Sequence, residues 1–324
     1  MDYWRSVLTF DPLKKLLSSN DELLTARVKR DLSDEEIPYR TENKEIRQII
    51  KRQQPDGSWI FRSTSKKKYP SINHDLVETF KSLRILTGKY ELNRNCEAIT
   101  NCAAYIFGCQ TDEGDIRGIL GNQYMPYYCG LLVELLILAG YGNDDRIDKA
   151  VQWLISVRQN DGGWVVPLQT LRINKFDDST YAAPAVYADK TLPFSHMTTG
   201  MVLRAFAVHR VYKKSEPAIK AGELLKSRFF KPDKYFARKS PEYWVKFQFP
   251  YWWTTILSSL DSLYHLGFTV KDKDVEKGIE WFLANQDESG LWAMHYDKGD
   301  KDKIESARLW VSYNICRILK MYLN

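Results

Sequence analysis

Apolar residues recur along this chain at helical spacing, and each such stretch ends on the same phrase. Ile147, Ala150, Val151, Leu154 and Ile155 form one stripe, and Gln159-Asn-Asp-Gly-Gly-Trp164 follows it. Ile99, Cys102, Ala103, Ile106 and Phe107 precede a worn copy, Gln110-Thr-Asp-Glu-Gly-Asp-Ile116. Val275, Gly278, Ile279, Phe282 and Leu283 precede Gln286-Asp-Glu-Ser-Gly-Leu-Trp292, and Ile46, Ile49 and Ile50 open a stripe before Gln54-Pro-Asp-Gly-Ser-Trp59. Steps of three and four residues put one apolar face on an α-helix. The glycines then stop each helix, because the left-handed backbone of a helix exit costs glycine little.

A second helix is predicted after each phrase, over 72–87, 124–139, 194–212, 251–266 and 304–323. A further first helix is predicted at 218–230, where Lys231-Pro232-Asp233 stands in place of the phrase. Five helix pairs therefore fill 44–324, and a short pair capped by Asp21 occupies 1–43. A recurrence of roughly 50 residues marks one supersecondary unit used repeatedly, so a single domain over 1–324 is expected. Two segments break the rhythm, 165–193 and 234–250, each joining a first helix to its second. Loops as long as the first are usually functional or disordered, and this topology would place both at one end of the assembly, where they could cover an opening.

The repeated phrase has a structural reading. A glutamine amide both donates and accepts, so it can tie a helix end to its neighbour. Glycine permits the tight turn, and tryptophan supplies a wide surface over the hydrogen bonds. Gln54, Trp59, Gln159, Trp164, Gln286 and Trp292 are therefore assigned to an inter-repeat clamp and not to catalysis.

Composition narrows the class. The chain has 324 residues, 44% hydrophobic and 27% charged, enough apolar material for a substantial core. Aromatic content is 13%, with 10 Trp and 19 Tyr, rings that fill a core or line a cavity. The formal net charge of +6 is spread thinly; its densest cluster, Lys66, Lys67 and Lys68, reads as a solvated loop. No nucleic-acid recognition module is present. Five cysteines, none in a Cys-x-x-Cys frame, argue against a disulfide framework or a zinc ribbon. The N-terminal Met1-Asp-Tyr-Trp-Arg-Ser lacks the order of a secretory signal. The longest apolar run, 130–140, is interrupted by Glu134 and is too short to span a bilayer. A reduced, cytoplasmic protein is expected, with peripheral membrane contact left open and no oligomeric state implied.

Glutamine, glycine and tryptophan in this order after an amphipathic helix resemble the repeat of squalene–hopene cyclases and of the β subunits of protein prenyltransferases, over about residues 44–323. The front segment and the closing stretch 304–323 resemble a short, single-toroid prokaryotic branch of that superfamily. The resemblance implies an all-α fold, an α/α toroid of about six helix hairpins in a closed ring, with second helices facing a central cavity. The family's chemistry transfers poorly. The Asp-x-Asp-Asp acid motif of class II cyclases is missing; the nearest candidates are Asp177-Asp178 and His74-Asp75. The zinc ligands of prenyltransferases are an Asp, a Cys and a His; here Asp75, Cys129 and His196 lie near the starts of inner helices, but in three different repeats and without the local pattern. No cofactor is therefore expected. Asp144-Asp145-Arg146-Ile147-Asp148 matches a magnesium–pyrophosphate motif, yet it opens a first helix, where acidic residues cap free amides.

In such a ring the starts of the second helices converge on one cavity mouth. Those positions hold His74 and Asp75; Tyr124, Tyr127, Tyr128 and Cys129; His196 and Thr198; Tyr251, Trp252 and Trp253; and Glu305 and Trp310. Aromatic walls with few polar groups suit a long apolar ligand and can stabilise a cation, although packing between helices also accounts for such rings. His74-Asp75 is the best acid–base pair, with His196 as an alternative partner of the carboxyl. The expectation is an isoprenoid- or terpenoid-processing protein performing proton-initiated cyclisation or isomerisation of a polyprenyl substrate. Asp75, His74 and His196 would be catalytic, and Tyr124, Tyr127, Tyr128, Trp252, Trp253 and Trp310 would bind substrate. The alternative is a toroid that binds a lipid or a protein without chemistry.

Overall fold

A computed structural model of the protein describes residues 3–35, 43–63, 68–171, 176–235, 238–294 and 300–324. Lys66 and Lys67 of the basic cluster lie outside them. The chain is all-α. Its one short β segment among the described residues is Ile119–Asn122. It folds into two compact units. One comprises Met1–Thr41, Lys226–Lys231 and Ser240–Asn324, and the other Glu42–Leu225 and Pro232–Lys239.

The larger unit alternates first and second helices. Lys44–Ile50, Glu97–Gly108, Asp145–Ser156 and Glu216–Lys226 are first helices, the last of them running on into the other unit by one residue. His74–Leu83, Pro126–Leu136 and His196–Val208 are second helices. Their starts are set by local chemistry. Asn73 caps the first through its bond from Leu76 N, Pro126 sits at the first turn of the next, and Ser195 caps the third by accepting from Thr198 N. Each therefore begins about two residues later than hydrophobic spacing alone predicts. Asp144 accepts from Arg146 N at a helix start, so the acidic string there is a cap. The irregular stretch 165–193 carries two short helices, Pro167–Thr170 and Asp178–Ala182.

In the smaller unit the front helix Glu22–Leu32, capped by Asp21 as predicted, packs on Lys301–Leu323. Ile256–His265 and Lys273–Ala284 form a hairpin beside them. The second helix of that pair starts at Ile256 and not at 251, because Thr255 and Ser258 form a reciprocal capping box.

The repeated phrase works as a clamp with four parts. The indole Nε1 of each tryptophan donates to the carbonyl ten residues earlier: Trp59 to Ile49 O at 2.8 Å, Trp164 to Leu154 O at 2.7 Å, Trp292 to Phe282 O at 2.8 Å. The backbone N–H of the same residue donates to a hydroxyl on the second helix. Trp59 N meets Thr79 Oγ1 at 3.0 Å, Trp164 N meets Thr199 Oγ1 at 2.9 Å, and Trp292 N meets Ser312 Oγ at 3.1 Å. In the worn copy Ile116 stands for the tryptophan, and its N–H meets the thiol of Cys129.

The glutamine joins successive repeats, but one residue earlier than predicted in the first copy. Gln53, not Gln54, donates to Gly57 O at 3.0 Å and to Ala98 O at 2.8 Å, at the start of the next first helix. Gln54 instead donates locally to Arg52 O. Gln110 reaches Gly114 O and Arg146 O, both at 2.8 Å, and Gln286 reaches Gly290 O and exchanges bonds with the backbone of Phe10. The acting glutamine lies six residues before the Trp or Ile. That place is held by Arg158 in the remaining copy, where an ion pair of 3.7 Å to Glu216 reaches the next first helix. Gln159 instead ties down the long insertion through Asp189 O and Leu192 O. Glycine is required at 57, where φ is +88° and an added Cβ would stand 2.1 Å from Asn101 O.

Thr199→Val leaves the fully buried Trp164 N–H without its hydroxyl. A loss of about 1–3 kcal/mol is expected, read from urea unfolding; an unchanged midpoint would remove this contact from the clamp.

Candidate functional site

The larger unit holds six of the nine proposed site residues. His74 and Asp75 occupy the first two positions of the helix His74–Leu83, both half-buried. Asp75 Oδ1 accepts from Phe61 N at 2.7 Å, and the His74 ring stacks on Phe61 at 5.1 Å with its Nε2 3.1 Å from Tyr69 O. Side by side, the two residues hold the segment that follows the Trp59 clamp onto the helix start. Asp161 does the same in its repeat, accepting from Phe194 N at 2.8 Å. Of the other acid candidates, Asp177 caps the helix Asp178–Ala182, and Asp178 accepts from both Ser71 N and Ser71 Oγ at 2.9 Å.

His196 opens the helix His196–Val208 and is buried. The carboxylate it faces is Asp233, with Nδ1 3.3 Å from Oδ2. Asp233 also accepts from Ser195 Oγ at 2.9 Å, Met197 N at 3.0 Å and Tyr235 N at 2.9 Å. Its surroundings are those of a helix-terminus anchor: a buried anion on the free amides of a helix start. Burial pushes the carboxyl up. Charge on His196, the two backbone N–H groups and the Ser195 hydroxyl outweigh it, so Asp233 titrates below the ordinary 3.8. Sequence reading passed Asp233 over because it sits in the decayed phrase, where no helical stripe marks it.

The tyrosines divide. The phenol of Tyr124 donates to Glu113 at 2.6 Å, its ring lies 5.0 Å from Tyr187 and 5.6 Å from Trp153, and Arg117 stands over its face at 4.7 Å. Burial, then the Glu113 contact, raises the Tyr124 phenol far above its usual range. Tyr127 and Tyr128 are buried with centroids 4.7 Å apart, and Phe80 meets Tyr128 edge-on at 5.3 Å. Their bodies pack the interior of the second-helix layer. Cys129 is likewise buried, and burial pushes its thiol up to about 12. Among the described residues no three His, Cys, Asp or Glu side chains are placed to share a metal ion.

One buried ionic group went unread in the sequence. Arg204 and Glu134, 5% and 6% exposed, face each other at 3.0 and 2.7 Å between adjoining second helices. Arg84 lies near them; burial and then the charge of Arg204 bring its guanidinium down to about 10. The available signal was one charge inside each apolar stretch, Glu134 in 130–140 and Arg204 in 196–208.

The smaller unit holds Trp252, Trp253 and Trp310. Trp252 and Trp253 stack at 5.4 Å and 13°, each half-buried. Trp310 is buried, donates from Nε1 to Asp21 at 2.9 Å, and carries Phe249 on one face at 5.3 Å and 12°. Arg27 lies 5.4 Å from its ring. Trp310 is thus held by packing, while Phe249, Trp252 and Trp253 keep part of their surface in solvent.

No family model matches the chain, and no curated protein matches it. Among solved structures it is similar to the type II terpene cyclase MstE from Scytonema, in apo form. The TM-score is 0.32 and the identity 14%, over 90% of this chain and 98% of that one. It is also similar to a protein from Actinoplanes, with a TM-score of 0.30 and 12% identity over 85% and 98% of the respective chains. Among the described residues no helix is long and apolar enough to cross a membrane.

The Asp233 anchor predicts a pH dependence. A depressed carboxyl contributes stability that is fully present above its unfolded value and is lost as pH falls through the folded one. The protein should therefore lose stability on acidification below pH 3.8. Asp233→Asn should cost about 3 kcal/mol at pH 7 and flatten that acid limb. Parallel urea-midpoint curves for the two proteins would contradict the assignment.

Proposed function

We propose that this protein handles a long apolar small molecule of the isoprenoid class, in first place by binding it. The observation that carries the reading is the partly exposed aromatic surface of Phe249, Trp252 and Trp253, in the segment that leads into the second helix Ile256–His265. The resemblance of the repeated phrase to terpene cyclases and protein prenyltransferases points the same way. Flat rings bury much apolar area at small entropic cost, and their faces tolerate a polyene chain or a developing cation equally.

Binding takes precedence over catalysis because the acid–base candidates already have structural duties. Asp75 holds Phe61 N, His74 stacks on Phe61, and His196 faces Asp233. The catalytic form of the proposal keeps Asp75 as the acid for proton-initiated cyclisation or isomerisation, with His74 or His196 as its partner.

Tryptophan quenching by polyprenyl alcohols and diphosphates should saturate. In Trp252→Ala and Trp253→Ala variants the affinity should fall about tenfold; absence of saturable quenching in the parent protein would remove the proposal. Product analysis after incubation with the same compounds tests the catalytic form. Turnover abolished by Asp75→Asn, which keeps an oxygen for Phe61 N, supports the acid role, whereas unchanged turnover excludes it.

A further inference from the structure

We propose a second, separate ligand site in the larger unit: a groove that binds the phosphate group of a small organic phosphate through Arg52 and Arg62. The groove measures about 380 Å³ and lies between the segment 59–63 and the helix His74–Leu83. Arg52, Gln54, Arg62, Glu78 and Ser82 supply its polar wall, and Trp59, Ile60 and Phe61 its apolar one. That volume is within the range of small-molecule sites.

Charge decides the kind of ligand. Arg52 and Arg62 are both exposed, and neither has a carboxylate partner among the described residues. Glu78, the carboxylate of the groove, is engaged by Lys81 Nζ at 3.0 Å. Two guanidinium groups therefore face one opening with no anion assigned to them. A guanidinium offers a planar fork of donors that matches phosphate oxygens. A phosphate monoester carries about −1.5 to −2 charges at neutral pH, so it balances two arginines where a carboxylate balances one. Ser82, which also lines the groove, adds a neutral donor in its hydroxyl.

The walls explain why the ligand should have a body as well as a phosphate. Ile60 is 44% exposed, and Phe61 is half-buried on the His74 ring. Phe61 is also positioned by its own N–H on Asp75. Glu78 and Ser82 follow Asp75 by three and seven residues, which places all three on one helix face. The groove wall is thus built on a capped helix on one side and on the Trp59 clamp on the other, two elements fixed by hydrogen bonds independent of any ligand. The anionic end would meet the arginines and the apolar end would lie on Ile60 and Phe61.

The probe is phenyl phosphate, with benzoate and inorganic phosphate as comparisons, titrated calorimetrically into the full chain. Saturable binding of phenyl phosphate is expected, tighter than that of benzoate, and weakened by added salt. Arg52→Gln and Arg62→Gln should each lower the affinity roughly tenfold, and the double variant should abolish it. Both side chains are exposed, so the circular dichroism spectrum should not change. Equal affinity for benzoate and phenyl phosphate would overturn the dianion argument. Binding that survives in the double variant, or no saturable binding of phenyl phosphate, would overturn the site. Inorganic phosphate binding as tightly as phenyl phosphate would overturn the role of Ile60 and Phe61.

Discussion

Every helix pair in which the phrase survives intact depends on one residue that donates twice. The tryptophan closing the phrase gives its indole N–H to its own first helix and its backbone N–H to a hydroxyl on the second. Both bonds are buried, so loss of either exposes a polar group to an apolar interior and costs more than the bond itself contributes. That asymmetry makes the clamp specify one arrangement of the pair. The ring area then covers the carbonyl and the hydroxyl and keeps water away from both.

The same economy explains the candidate site. Carboxylates gather where a helix start meets the irregular segment beside it. Asp233 meets Ser195 and Met197, Asp161 meets Phe194 N, and Asp75 meets Phe61 N. Asp75 looks like an acid catalyst in the sequence, because it stands beside a histidine at a helix start. In space these carboxylates fasten the irregular segments to the helices. The two proposed ligand sites use other groups, the half-exposed rings of one unit and the exposed arginines of the other.

The interior adds a contrasting case. Glu134 and Arg204 lie on facing second helices that also approach closely at Gly130, where an added Cβ would stand 2.8 Å from the backbone of Val202. A buried ion pair of this kind contributes little net stability compared with apolar packing, but misalignment would strand a charge.

The repeated phrase and the helical stripes were readable because they are local: period, glycine and cap act within a few residues of themselves. All-α character, the order of first and second helices, the Asp21 and Asp144 caps and the structural role of Trp59, Trp164 and Trp292 all follow from that. The six-residue step from glutamine to the end of the phrase was also present, in Gln110 to Ile116 and Gln286 to Trp292, and counting it back from Trp59 leads to Gln53. What a linear reading lacked was partners distant in the chain. Thr79, Thr199 and Ser312 are ordinary hydroxyls until a tryptophan N–H 20 or 35 residues away points at them. His196 acquires Asp233 only when a segment 37 residues on folds back over a helix start. Arg52 and Arg62 share a groove only because the clamp turns the chain between them. Such pairings carry no period and no local propensity, so only the folded chain decides them.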